Sequence, residues 1–197
     1  RLFEMSDLAK SSGPQPQWPG HARIINEYGW LWLHRDGTPT VLSRKPYDNL
    51  VGPNATAEQR FAAYAYLLAG LTEYWRATRK YAGVLYLAYL DAEGPRIYTC
   101  DNFRDVRTLE FQPHFEDYMV EAFKPLGVYI DFWQPELKGG SPFSFPIVMT
   151  NDSHDAAAGT LDLVLQPEDG NGASSRTSQR FEIPALRQTR YNLKLEV

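Results

Sequence analysis

The chemistry this sequence suggests centres on one carboxylate. The run Arg23-Ile24-Ile25-Asn26-Glu27-Tyr28-Gly29-Trp30 leads an apolar stretch to a glutamate and then to aromatics, with Trp32 just beyond. In a parallel α/β protein the chemistry gathers at the C-terminal ends of the strands, where the loops form an open face. A glutamate there can attack or stabilise an anomeric carbon, and aromatic faces beside it can stack on the C–H surface of a sugar ring. Glu27 is therefore the candidate nucleophile. Asn26 could hydrogen-bond Glu27 or a sugar hydroxyl, Tyr28 could orient the nucleophile, and Trp30 and Trp32 could stack on the sugar. Each has a plainer alternative: a strand-end Glu paired with an Arg, an Asn chosen for its turn chemistry, Trp side chains packed under a loop.

A second set of candidates lies in Thr99-Cys100-Asp101-Asn102-Phe103-Arg104-Asp105. Asp101 and Asn102 could bind sugar hydroxyls with Arg104 near a carboxylate, or the segment could be a hydrogen-bonded loop anchor. Tyr47, Asp48 and Asn49 are further contacts in a loop. Cys100 has no basic neighbour in sequence to lower its pKa and reads as a packing residue. His21, His34, His114 and His154 lack metal-ligand spacing. The acidic pairs Asp152/Asp155 and Glu168/Asp169 lack the rhythm of a calcium loop and read as turn chemistry. Neither a Gly-rich phosphate loop nor a Ser-His-Asp order is evident, and no metal and no cofactor is expected.

Bulk properties narrow the class. The 197 residues suffice for one large domain or two small ones; 43% are hydrophobic, 22% charged, and the net charge is −4. Without a cluster of Lys and Arg to neutralise phosphates, a nucleic-acid partner is not expected. Nor does any uninterrupted apolar run reach the length needed to span a membrane. Cys100 is the only cysteine, so no intrachain disulfide can form. An N-terminus at Arg1 rather than Met suggests a processed product or a piece of something longer.

These residues need elements to position them. Residues 1–20 read as the end of a helix, Leu2 to Lys10, and a Ser/Gly/Pro-rich loop. A strand follows over His21 to Tyr28, then a long loop over 31–55 with turn signals at Asp36-Gly37, Lys45-Pro46 and Gly52-Pro53. Thr56 with Gln59 forms a capping box, and Phe61, Tyr64, Ala65, Leu68, Thr72 and Trp75 recur at helical spacing. Arg76, Arg79 and Lys80 suit the negative end of that helix. Gly83 to Leu90 is almost continuously apolar, as in a strand buried on both faces of a parallel sheet. After a loop over 91–112, Pro113 opens a helix that runs to Phe123, and Pro125 with Gly127 stops it. From Gly139 short alternating strands take over, at 143–149, 160–165, 179–183 and 191–197, which reads as an antiparallel β-sandwich.

Strand, helix, strand, helix and then sandwich, together with Asn26-Glu27-Tyr28-Gly29-Trp30, resembles glycoside hydrolase family 2, the group of β-galactosidases, β-glucuronidases and β-mannosidases. The segments 122–131 and 145–152 resemble that family's exit from its last barrel helix and its next sandwich strand. The resemblance implies α/β plus β: the last two βα units of a (β/α)8 TIM barrel over 1–138, then an incomplete immunoglobulin-like sandwich over 139–197. It implies a retaining β-glycosidase with Glu27 as nucleophile. The acid/base Glu would come from a missing segment or another chain, so the isolated chain would be inactive. Where many relatives carry a Trp at the end of the eighth strand this sequence reads Tyr86-Leu87-Ala88-Tyr89, so Tyr89 or Tyr86 is a substitute at most. The implied partners are a carbohydrate and the remaining barrel segment, with room for a homo-oligomer, and the resemblance leans towards a secreted or periplasmic setting. The rival reading is a non-catalytic carbohydrate-binding or assembly subunit with a degenerate barrel.

Overall fold

The computed structural model describes residues 19–92, 94, 96–134, 137–167 and 170–197. The helix expected over Leu2 to Lys10 lies outside these residues, as do Glu168 and Asp169. The described residues form two compact units, 19–124 and 125–197.

In the first unit, β1 (Ile24–Ile25) pairs parallel with β2 (Gly83–Val84), placing Ile24 beside Gly83 and Ile25 beside Val84. Backbone bonds extend the pairing on both sides, from Ala82 N–H to the Arg23 carbonyl at 2.6 Å and from Leu87 N–H to the Tyr28 carbonyl at 3.4 Å. The strands expected over 21–28 and 83–90 are thus much shorter as regular ladder. Among the described residues this sheet has two strands, with two paired positions in each. Between β1 and β2 lie α1 (Arg44–Leu50) and the long α2 (Ala57–Thr78). Thr56 caps α2 as the sequence suggests: its hydroxyl accepts from Gln59 N–H and its own N–H donates to the Gln59 side chain. Arg79 closes the helix in the left-handed conformation, φ 52°.

Two features of the loops were not expected. α1 sits inside the segment read as loop, and the 91–112 segment holds a hairpin of β3 (Phe103–Asp105) and β4 (Glu110–Phe111). α3 (Pro113–Ala122) follows with Pro113 in its first turn and Gln112 as its cap. Tyr64, Leu68 and Ala69 of α2 pack with Phe115, Met119 and Ala122 of α3, and Ile25, Val84 and Tyr86 lie against that cluster. Arg76 reinforces the helix pair by donating to the carbonyls of Ala122 and Lys124. No helix among the described residues is long and apolar enough to cross a membrane.

The second unit begins at Pro125, earlier than the expected boundary at 138/139. Leu126–Ile130, read from sequence as the exit from a helix, is a strand, β5, paired antiparallel with β6 (Pro142–Asn151). The alternation of Leu126, Val128 and Ile130 with Gly127 and Tyr129 is the period-two pattern of a strand. β6 pairs in turn with β9 (Gln188–Glu196), while β7 (Ala157–Leu165) and β8 (Ser175–Ile183) form a separate antiparallel pair. Phe145, Ile147 and Met149 from one sheet and Leu161, Leu163 and Ile183 from the other share one core. Asn151, fully buried, ties the end of β6 down through its amide, which donates to the carbonyls of Asp155, Ile183 and Pro184.

Candidate functional site

The parallel β1–β2 pair sends both chains out at the same end, and the candidate residues follow from there. Asn26 and Glu27 leave β1 exposed. Tyr28, the next residue, turns inward. Its hydroxyl meets Thr72 Oγ1 of α2 at 2.7 Å, and burial pushes its phenol up to about 12, outweighing the hydrogen bond that Thr72 provides. Tyr28 therefore pins the end of β1 to α2; its hydroxyl is engaged with the helix rather than with Glu27.

Gly29 makes the chain's next turn possible, at φ 83°. Beyond it, Trp30 and Trp32 stack with ring centroids 6.2 Å apart and planes 17° from parallel. The two indoles divide the work. Trp32 is 3% exposed and donates from Nε1 to the Leu87 carbonyl at 2.7 Å, which ties the loop after β1 to the chain leaving β2. Trp30 is 58% exposed and lies against it as an open aromatic face. Tyr89 is also exposed and rests edge-on against Phe103 at 5.6 Å. Trp30 and Tyr89 are thus the exposed aromatic faces among these candidates, whereas Trp32 is the buried support beneath Trp30. Tyr86, the other substitute, packs edge-on against Phe115 at 5.6 Å.

Asp101 is a loop anchor. Its side chain is fully buried and takes Arg35 in two hydrogen bonds, at 2.6 and 3.3 Å. The same carboxylate accepts the N–H groups of Asp91 and Phe103, each at 3.1 Å. Asp91 in turn accepts the Thr99 hydroxyl, and Arg35 also reaches the Asp91 carbonyl. Neither Arg35 nor Asp91 stands out in the sequence, because Arg35 and Asp101 are far apart along the chain and only the fold unites them. Asn102 is buried beside Tyr64. Its backbone carbonyl accepts Gln112 N–H at 2.9 Å, while its side-chain amide nitrogen meets no partner among the described residues. Burial raises the Tyr64 phenol strongly.

Comparison with family models, with curated proteins and with solved structures finds no match. The site is thus read from its own geometry.

The remaining sequence candidates take structural places. Tyr47 is buried in the core and donates to the Leu31 carbonyl at 2.7 Å, with Asp48 and Asn49 exposed beside it on α1. Arg104 pairs with Glu110 across the β3–β4 hairpin at 3.2 Å. Cys100 is wholly buried. His114 contacts Glu58 across the α2–α3 pair.

Proposed function

We propose that this chain is the nucleophile-bearing part of a retaining β-glycosidase. The observation that carries this reading is an exposed Glu27 at the outgoing end of a parallel strand, followed by an exposed Trp30 backed by Trp32. In this reaction the Glu27 carboxylate attacks the anomeric carbon while a second carboxyl protonates the departing oxygen, and water then releases the sugar from the glutamyl ester. The second carboxyl must stand ~5–5.5 Å from the first for that geometry. It comes from further strands of the same barrel, on another segment or chain.

The sheet supports that incompleteness. A parallel sheet is ordinarily covered on both faces. Here Ile25 and Val84 lie against the helices, whereas Ile24 is 55% and Leu85 59% exposed. An open apolar groove of about 280 Å³ is lined by Tyr86, just beyond β2, with Phe111, Phe115, Met119, Val120 and Phe123 among others. More strands and helices would cover both.

A specific observation favours the rival, non-catalytic reading. Tyr28 and Asp101 are committed to structural partners, which leaves an aromatic platform without a ring of polar sugar contacts. Labelling the completed enzyme with a mechanism-based fluorosugar separates the two. The catalytic reading expects a covalent adduct on the peptide carrying Glu27, and turnover falling more than about a thousandfold in Glu27→Gln. Binding of the sugar without labelling, or labelling elsewhere, rejects it.

A further inference from the structure

Residues 26–32 belong to no strand or helix, so their carbonyls lose the partners that a longer β1 ladder would supply. Side-chain hydroxyls take over. Tyr64 of α2 donates to the Gly29 carbonyl at 3.3 Å, Tyr47 of α1 to the Leu31 carbonyl at 2.7 Å, and Ser43, just before α1, to the Trp32 carbonyl. Thr40 N–H also reaches the Trp32 carbonyl, at 3.3 Å. All three hydroxyl-bearing side chains belong to buried residues. Burial holds both phenols well above the usual tyrosine range, so each keeps the proton it donates. Phenylalanine would fill nearly the same space at Tyr47 and Tyr64. What the hydroxyls add is a hold on the carbonyls either side of Trp30.

Loops are ordinarily the mobile parts of a fold. Here the backbone is gripped before and after Trp30, while Trp32 supports the indole from beneath. We propose that Tyr47 and Tyr64 are positioning residues for Trp30, fixing its exposed indole as a rigid face that meets one side of a sugar ring at a set angle to Glu27. The sugar in this statement rests on the glycosidase reading; the hold on Trp30 does not. A preformed platform spares the ligand the cost of ordering the loop, and it touches a part of the ring that does not react. Contacts of that kind act equally on bound substrate and transition state, so loosening them weakens binding and leaves the chemical step alone.

Fluorotryptophan incorporated into the 197-residue chain lets fluorine NMR follow each indole, with Trp30→Phe assigning the Trp30 signal. In the parent chain Trp30, despite its exposure, should relax within about a factor of two of Trp75, which packs on α2 between Tyr74 and Tyr81. In Tyr47→Phe, and less in Tyr64→Phe with its longer bond, Trp30 relaxation should slow about twofold or more, while Trp75 and Trp133 keep their rates. Phenols that served stability alone would lower the unfolding temperature and leave the Trp30 signal as it was. In the completed enzyme the same variants should raise the fluorosugar concentration for half-maximal labelling about fivefold and keep the limiting rate within about twofold. The proposal is overturned if Trp30 is as mobile as a free indole in the parent, if neither variant changes its relaxation, or if Trp75 and Trp133 change alongside it. A fall in the limiting rate at an unchanged half-maximal concentration overturns it too. Labelling that fails in the parent enzyme rejects the glycosidase reading instead, and the relaxation rates still decide whether the phenols hold Trp30.

Discussion

At Gly29 the backbone adopts φ 83°, and a Cβ built there would lie 2.3 Å from Cδ1 of Leu68. Leu68 is itself buried at 1% exposure, so it has little room to yield. The glycine is therefore what allows the chain to fold over α2 and offer Glu27 and Trp30 on either side of an anchored Tyr28. Gly29→Ala is expected to cost about 3 kcal/mol, combining a left-handed backbone with an overpacked contact. A double-mutant cycle in urea separates the two contributions: the cost of Gly29→Ala should shrink by about 1–2 kcal/mol when Leu68 is alanine, leaving the backbone strain. At Asp101 the argument is electrostatic. Removing this carboxylate takes the ion-pair partner from a mostly buried Arg35 and the acceptor from two backbone N–H groups, so Asp101→Ala should lose about 3 kcal/mol in chemical denaturation. It should also speed amide exchange across 91–103 more than elsewhere. Unchanged stability would show that the pair is dispensable and that Asp101 is free for a ligand.

Among the elements, α2 was legible because its signals are local. Thr56 and Gln59 supply both halves of the capping box, and Thr56→Ala should cost about 1 kcal/mol by thermal or urea unfolding. Pro113 marked the start of α3 for the same reason. α1 was hidden by Pro46, which reads as a breaker, yet the first-turn N–H groups of a helix have no partner to lose and Pro46 falls in that turn. The β3–β4 hairpin was hidden because strands this short show no periodicity, and β5 because Pro125 and Gly127 drew attention to the helix they end. α2 also carries a titrating group that sequence spacing does not reveal. Burial pushes the carboxyl of Glu73 from 4.5 to about 7, with Arg76 opposing the shift. An acid whose folded pKa is raised contributes full stability below its unfolded pKa and loses it as pH rises through the folded value. Stability should thus fall between about pH 4.5 and pH 7, by about 2 kcal/mol once solvent screening is allowed for. Glu73→Gln should unfold at a higher temperature than the parent chain near pH 8 and at the same temperature near pH 4. A parallel pH profile in both proteins would sink this account.

For the whole molecule, the decisive fact is which apolar surface the chain covers by itself. The glutamate, its glycine and its aromatics were readable as a strand end; the surfaces awaiting cover were not, because a residue such as Leu85 looks like core in any apolar run. Ile24 and Leu85 share the uncovered face of a two-stranded parallel sheet, each more than half exposed. If that face belongs to a larger barrel, these side chains stabilise the completed assembly and not the isolated chain. Ile24→Thr with Leu85→Thr should then shift the unfolding free energy of the 197-residue chain by less than about 0.5 kcal/mol, as for surface changes, while lowering its tendency to self-associate. The same double change should weaken association with a barrel-completing segment by at least about tenfold, since burying each aliphatic side chain contributes roughly 1.5–3 kcal/mol. Denaturation of the chain alone and titration with the completing segment read the two halves independently. A loss of several kcal/mol in the isolated chain would mean that the face is already packed, and the case for further strands would go with it.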